Sequence, residues 1–131
     1  MLQRAETPVA LTGVEASRAF FAPCFADPAG EQLWVAHVDR EARCIHLASY
    51  PSRCERDGMP VRAIIGDAIR LDSAGILLAH QHRESGCAPS RWDEAGTRAL
   101  AIAADAIDVS VLDHLVFAGS SCASFRRLGL L

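Results

Sequence analysis

The apolar positions of this chain change period as they run. Leu33-Trp34-Val35-Ala36-His37-Val38 is a compact apolar run suited to a strand buried on both faces, and Cys44-Ile45-His46-Leu47-Ala48-Ser49-Tyr50 reads as its neighbour. The polar link Asp39-Arg40-Glu41-Ala42-Arg43 is short enough for a hairpin. After a polar loop from Pro51 to Pro60 the period becomes helical, with Val61, Ile64, Ile65, Ala68 and Leu71 in one stripe and Arg62, Asp67 and Arg70 outside it. Gly75 is expected to close that helix, with Ile76-Leu77-Leu78-Ala79 following as a central strand. Asp93 to about Ile107 is again helical in composition, Val109 to Phe117 reads as a strand ended by Gly119, and a terminal strand is expected around Ala123 to Phe125. Ahead of these elements, residues 1–30 carry Pro8, Pro23, Pro28 and Gly30 around Phe20-Phe21, which predicts a loosely structured N-terminal segment with one short helix near Val14 to Phe21.

The order β, β, α, β, α, β predicts an α/β fold, a single domain over residues 31–131 in which helices pack on a mixed sheet. Ligands bind beyond the strand ends of such sheets, and the strand from Ile76 runs straight into His80-Gln81-His82.

Composition narrows the chemistry. At 131 residues and 50% hydrophobic, the chain has room for one core. Its formal charge is −3, and its arginines are scattered rather than gathered in a stripe, so no phosphate-backbone footprint is written in it. All 13 basic residues are arginine, which removes phosphate-loop lysines and Schiff-base chemistry. Cys24, Cys44, Cys54, Cys87 and Cys122 are odd in number and contain no Cys-x-x-Cys pair, so neither a disulfide framework nor a thiolate zinc knuckle is expected. No stretch approaches the roughly 20 apolar residues of a membrane span, and Met1-Leu2-Gln3-Arg4 is not followed by the apolar core of a signal peptide. A soluble, cytoplasmic protein with reduced thiols is the expectation.

On an extended backbone His80 and His82 point to the same side, so they can close on one ion. Asp93 follows across a loop containing Gly86 and Pro89 and offers a carboxylate as third ligand, which leaves a fourth place for water. Two imidazoles and one carboxylate favour zinc over magnesium or calcium. Other readings of the same residues stay open. Ser90 and Asp93 satisfy Ser-x-x-Asp, a helix-start signature, and two histidines at a strand end also suit a hydrogen-bonded structural pair.

His80-x-His82, seven residues, Ser90, two residues, Asp93 is the spacing of the JAMM (JAB, MPN+) metalloprotease motif, and the surrounding chain resembles the JAB domain of the RadC family. Val38-Asp39, the helix from Val61, the strand Gly75 to Ala79, Pro89-Ser90-Arg91-Trp92-Asp93, Leu112-Asp113-His114-Leu115 and Ser124-Phe125-Arg126-Arg127-Leu128-Gly129 follow that family's order over about residues 31–131. The resemblance implies a JAB/MPN fold with cytidine-deaminase-like layering, zinc held by His80, His82 and Asp93, and hydrolysis of an amide bond in a peptide or protein substrate. It also implies a catalytic glutamate, for which Glu31 stands in the expected place, with Glu15 and Glu41 as alternatives, and a Ser90 that caps its helix and donates to the developing oxyanion. Departures fall in the loop: Gln81 replaces the usual Asn, and Arg83-Glu84-Ser85-Gly86 replaces Pro-Ser-Gly. DNA is a partner by family inference only, since residues 1–30 are too short and too weakly basic for the DNA-binding segment of longer members. A non-catalytic MPN interaction module is the competing class. A deaminase would need His-x-Glu and Pro-Cys-x-x-Cys, and the chain has neither. His37 and His46 are expected to be structural, and His114 to support a ligand from behind.

Overall fold

In the computed structural model, residues 9–26, 32–51, 58–82 and 86–131 are described. Among them five strands, β1 (Gln32–Val38), β2 (Cys44–Pro51), β3 (Gly75–Gln81), β4 (Ser110–Ala118) and β5 (Ser121–Ser124), form a sheet in the order β2-β1-β3-β4-β5. Three helices pack on it, α1 (Val14–Phe21), α2 (Val61–Leu71) and α3 (Arg91–Asp105). β1 is antiparallel to β2 and β3, β4 is antiparallel to β5, and β3 and β4 run parallel. A parallel pair cannot be joined by a tight turn, so α3 makes the crossover.

Strand alternation divides the core between the two faces. Leu33, Val35, Ile76 and Leu78 meet Ile64 and Ala68 of α2 and Leu100 and Ala104 of α3 on one face. Ala36, Val38, Leu77, Ala79, Leu115 and Phe117 meet Leu11 and Phe21 on the other. The central strands are covered on both sides, which is why they read as continuous apolar runs. Residues 9–26, expected within a loosely structured segment, supply this second layer. α1 forms where a short helix was predicted, Phe21 is fully buried, and the Phe25 ring lies 4.9 Å from that of Phe117. Three phenylalanines in six residues give this segment apolar surface enough to pack down.

Some boundaries differ from the sequence expectation for local reasons. Asp72, in the left-handed region at φ 53°, closes α2, and Gly75 instead opens β3. A Cβ there would come within 3.1 Å of Leu112 and 3.2 Å of Val38, so close strand packing is what favours glycine. β3 extends past Ala79 through His80 and Gln81 because its ladder with β4 continues to Gln81 opposite Phe117. In β4 one extra residue, Leu112, intervenes where the register steps from Ile76 opposite Val111 to Leu77 opposite Asp113.

The end of the sheet where β3 begins holds a buried polar network. His37 is fully buried, with Nδ1 3.0 Å from Ser73 Oγ and Nε2 3.5 Å from the Tyr50 hydroxyl. The Tyr50 hydroxyl donates to Asp67, which also accepts from Arg70. Burial lowers the His37 pKa to about 4, against the opposing pull of the Asp67 charge.

Candidate metal centre

The alternation that buries Ile76 and Leu78 under the helices carries His80 to the same face of β3, at its far end. His82 continues the phase just beyond the strand, held by its own N–H donating to the Phe117 carbonyl at 2.8 Å. The third residue arrives on α3. Ser90 is its N-cap: the Ser90 hydroxyl oxygen accepts from the Asp93 N–H at 3.0 Å, and the Asp93 carboxylate accepts from the Ser90 N–H at 2.8 Å, a complete capping box. The same box that starts the helix therefore aims Asp93 at the strand end. Both readings of Ser-x-x-Asp, helix start and metal site, describe one piece of geometry.

The three side chains converge. His80 Nε2 lies 3.2 Å from Asp93 Oδ1, His82 Nε2 lies 3.0 Å from Asp93 Oδ2, and one ligand atom from each of the three falls within 4.8 Å of the others. Each is about one-seventh exposed, with side-chain values of 15%, 14% and 16%. Burial alone would push the Asp93 carboxyl up, but the adjacent His80 ring and the donating Ser90 N–H outweigh it and hold the group well below the usual carboxylate range. Asp93 is thus an anion poised between two imidazoles.

The outer nitrogens of both rings are occupied. His82 Nδ1 lies 2.9 Å from the Gly86 carbonyl, which can only accept, so this nitrogen carries the ring proton and Nε2 is left as the ligand atom. His80 Nδ1 lies 2.7 Å from His114 Nε2, and His114 Nδ1 lies 2.7 Å from Thr97 Oγ1 on α3. His114 is fully buried, burial and the neighbouring His80 push its pKa well below the ordinary value, and its ring stacks on Phe125 at 4.6 Å. Coordination through His80 Nε2 selects one proton arrangement along this chain: His80 Nδ1–H donates to His114 Nε2, and His114 Nδ1–H donates to Thr97. The group before His114 is a second anchor. Asp113 is buried and accepts from the Ser124 hydroxyl at 2.6 Å, the His114 N–H at 2.7 Å and the Arg126 N–H at 3.0 Å.

A metal fits this donor set on one observation in particular. His80 Nε2 is buried, yet it lacks the alignment for a hydrogen bond to Asp93 and has no other partner among the described residues. A cation among the three ligand atoms satisfies that nitrogen and balances the carboxylate.

The structure thus brings His80, His82, Asp93 and Ser90 together. Glu31 and Glu84 lie outside the described residues. The two alternative glutamates are engaged elsewhere: Glu15 on α1 pairs with Arg127 at 3.4 Å, and Glu41 pairs with Arg43 at 2.8 Å in the β1–β2 hairpin. That hairpin adjoins Val38, opposite the first residue of β3, about 15 Å along the strand from His80. Thr97 was missed in the sequence, although it lies one helical turn after Asp93 and so had to share its face. The long axis of Gln81 is another matter, since its strand position turns it to the face opposite both histidines.

Comparison with known proteins agrees with this geometry. A RadC-like JAB domain model matches residues 11–130. A UPF0758 protein of Methylibium petroleiphilum is 46% identical over 70 residues, covering 53% of this chain and 32% of the relative. One from a Polaromonas species is 41% identical over 98 residues, covering 74% of this chain and 44% of the relative. The chain therefore spans less than half the length of these two relatives. The UPF0758 protein YfjY of Escherichia coli is 28% identical over 127 residues, covering 96% of this chain and 79% of the relative. These names state no activity. With the family match running from the N-terminal layer to the penultimate residue, over a five-stranded mixed sheet and a His-His-Asp cluster at its strand end, the chain belongs to the RadC-like JAB domain family.

Proposed function

We propose that the protein is a zinc-dependent hydrolase of JAMM type, a metallopeptidase or isopeptidase acting on an amide bond. The observation that carries this reading is the buried His80 Nε2, which has no hydrogen-bond partner among the described residues and faces an ionised Asp93 and the His82 ring. A zinc ion held there would supply Lewis acidity, bringing the pKa of a coordinated water to about 7 and polarising the substrate carbonyl.

The chain's own residues divide the remaining work. His80, His82 and Asp93 would hold the metal through two neutral nitrogens and one anionic oxygen. His114 and the Gly86 carbonyl fix the ring orientations from behind. Ser90 accepts from the Asp93 N–H through its oxygen and so retains its own hydroxyl proton, which can be donated to a substrate oxygen as negative charge develops there. Glu31 is the proposed general base, taking the proton of the attacking water and passing it to the leaving amine. It directly precedes β1, which starts at the end of the sheet where β3 finishes, because the two strands are antiparallel.

The test is zinc per chain by elemental analysis after dialysis against micromolar zinc, for wild type and for the His80→Ala/His82→Ala double variant, followed by a peptide-library assay with Glu31→Gln as control. About one zinc in wild type, none in the double variant, and cleavage lost in Glu31→Gln are expected. Wild type without zinc removes the hydrolase reading in favour of an interaction module. Zinc bound without any cleavage keeps the centre and removes the catalysis.

A further inference from the structure

The three most exposed large apolar side chains among the described residues are Ile102 at 68%, Ile69 at 62% and Trp92 at 60%, and all three lie on the α2–α3 layer. Two of them belong to a single stripe. Trp92, Ala95, Ala99, Ile102 and Ala106 recur at alternating steps of three and four along α3 and its C-cap, every one of them exposed. That stripe lies directly opposite the face on which Thr97, Leu100 and Ala104 enter the core, so nothing in α3's own packing accounts for it. Steps of three and four are what one helix presents to another.

We infer that this face is where a second copy of the chain docks, α3 against α3 and antiparallel, about a two-fold axis near Ala99. Side-chain size is self-complementary under that rotation. Ile102 of one copy falls over the gap between Ala95 and Ala99 of the other, and Trp92 falls over Ala106, so a large group meets small ones at each end. Charge follows the same axis: Arg91, at the start of α3, comes within a turn of Asp105, at its end, in the second copy, and this happens twice. Arg98 meets its own copy near the axis and Glu94 falls beside Asp105 of the second copy, and both contacts are repulsive. α2 runs alongside α3 in the same direction, since each returns from the metal end of the sheet to the other end. The rotation therefore sets α2 across from its copy as well, which adds the exposed Ile69.

α3 has 15 residues and is roughly 22 Å long at about 1.5 Å per residue. A contact of that length is at the lower end of specific interfaces, below about 1,200 Å² in total, so the dimer dissociates on dilution through the micromolar range. Because the pairing is antiparallel, the two metal centres sit at opposite ends of the helix pair, and each is one residue from the interface through Trp92 and Asp93.

The experiment is sedimentation equilibrium on the full chain over a broad concentration range, with tryptophan emission recorded in parallel and circular dichroism to verify folding. Wild type is expected to show a monomer–dimer equilibrium with emission moving to shorter wavelength on association. Ile102→Glu should weaken association by about a hundredfold. Arg98→Ala should tighten it by about threefold, a direction that damage to the fold would not produce. Arg91→Glu should weaken it, and Arg91→Glu combined with Asp105→Arg should restore it. A wild-type chain that stays monomeric throughout, or a dimer indifferent to Ile102→Glu and to the charge exchange, overturns the assignment. Because none of these readouts involves zinc or cleavage, failure here is separate from failure of the hydrolase reading.

Discussion

Two buried histidine networks lie on the same face of the sheet, one at each end of β3, and they end differently. Near the start of β3, His37 bonds Ser73 and Tyr50, Tyr50 bonds Asp67, and Asp67 closes on Arg70, so the chain of partners runs from the interior to a cation belonging to the protein. Near its end, Thr97, His114 and His80 form a similar chain, but it terminates at a nitrogen that has no hydrogen-bond partner among the described residues and lies beside an anion. A closed network is explained by folding alone, because each member offsets the burial of another. An open one is not explained that way, and the Asp93 carboxylate beside it suits a cation. The contrast singles out the His80 end of the sheet as the candidate site without reference to motif spacing.

Zinc gives the largest separation of the two networks. At a thousandfold excess over its dissociation constant, zinc should stabilise wild type by about 4 kcal/mol in urea melts, and His80→Ala should abolish that gain. His37→Ala should lower the metal-free stability and leave the gain intact. Acid sharpens the comparison next. The unfolded His37 imidazole takes up a proton below its ordinary pKa of 6.5, the folded one only near 4, so stability is lost as pH falls through that window. A His37→Gln chain should lose about 3 kcal/mol less than wild type between those pH values, measured by urea melts in the absence of metal. Smaller again is the effect of the supporting hydroxyls: Thr97→Val should weaken zinc binding by about tenfold in a chelator competition, whereas Ser73→Ala, its counterpart in the closed network, should leave binding unchanged. Smallest is the helix cap. Ser90→Ala should cost about 1 kcal/mol of stability in metal-free protein, with Ser90→Thr recovering most of it.

Much of this was legible in the chain because the relevant periods are short. Alternation along Ile76 to His82 determines which side chains share a face, and Ser90 with Asp93 sets both the helix start and the aim of the carboxylate. Partnership over long separations was not legible. That His114 lies behind His80 depends on the parallel β3–β4 register, and that Ser124 and Phe125 serve Asp113 and His114 depends on how β5 folds back on β4. The motif Ser-Phe-x-x-x-Gly could be quoted from the sequence, but its reason lies in these contacts. Gly75 misled for a related cause. Its lack of a side chain suggests a helix stop, whereas the demand for it comes from Leu112 and Val38, which are remote in sequence.

The extra residue in β4 has a consequence for which face its later residues take. Before Leu112, Val111 faces the helices; after it, His114 does, so the strand crosses the bulge with its inside and outside exchanged. The same sequence in an unbulged strand would alternate strictly from Val111, turning Asp113 toward the helices and His114 toward the apolar layer on the other face. The irregularity is therefore what carries His114 to the side of His80, and the phase of one strand is as much a part of the candidate site as the residues that line it.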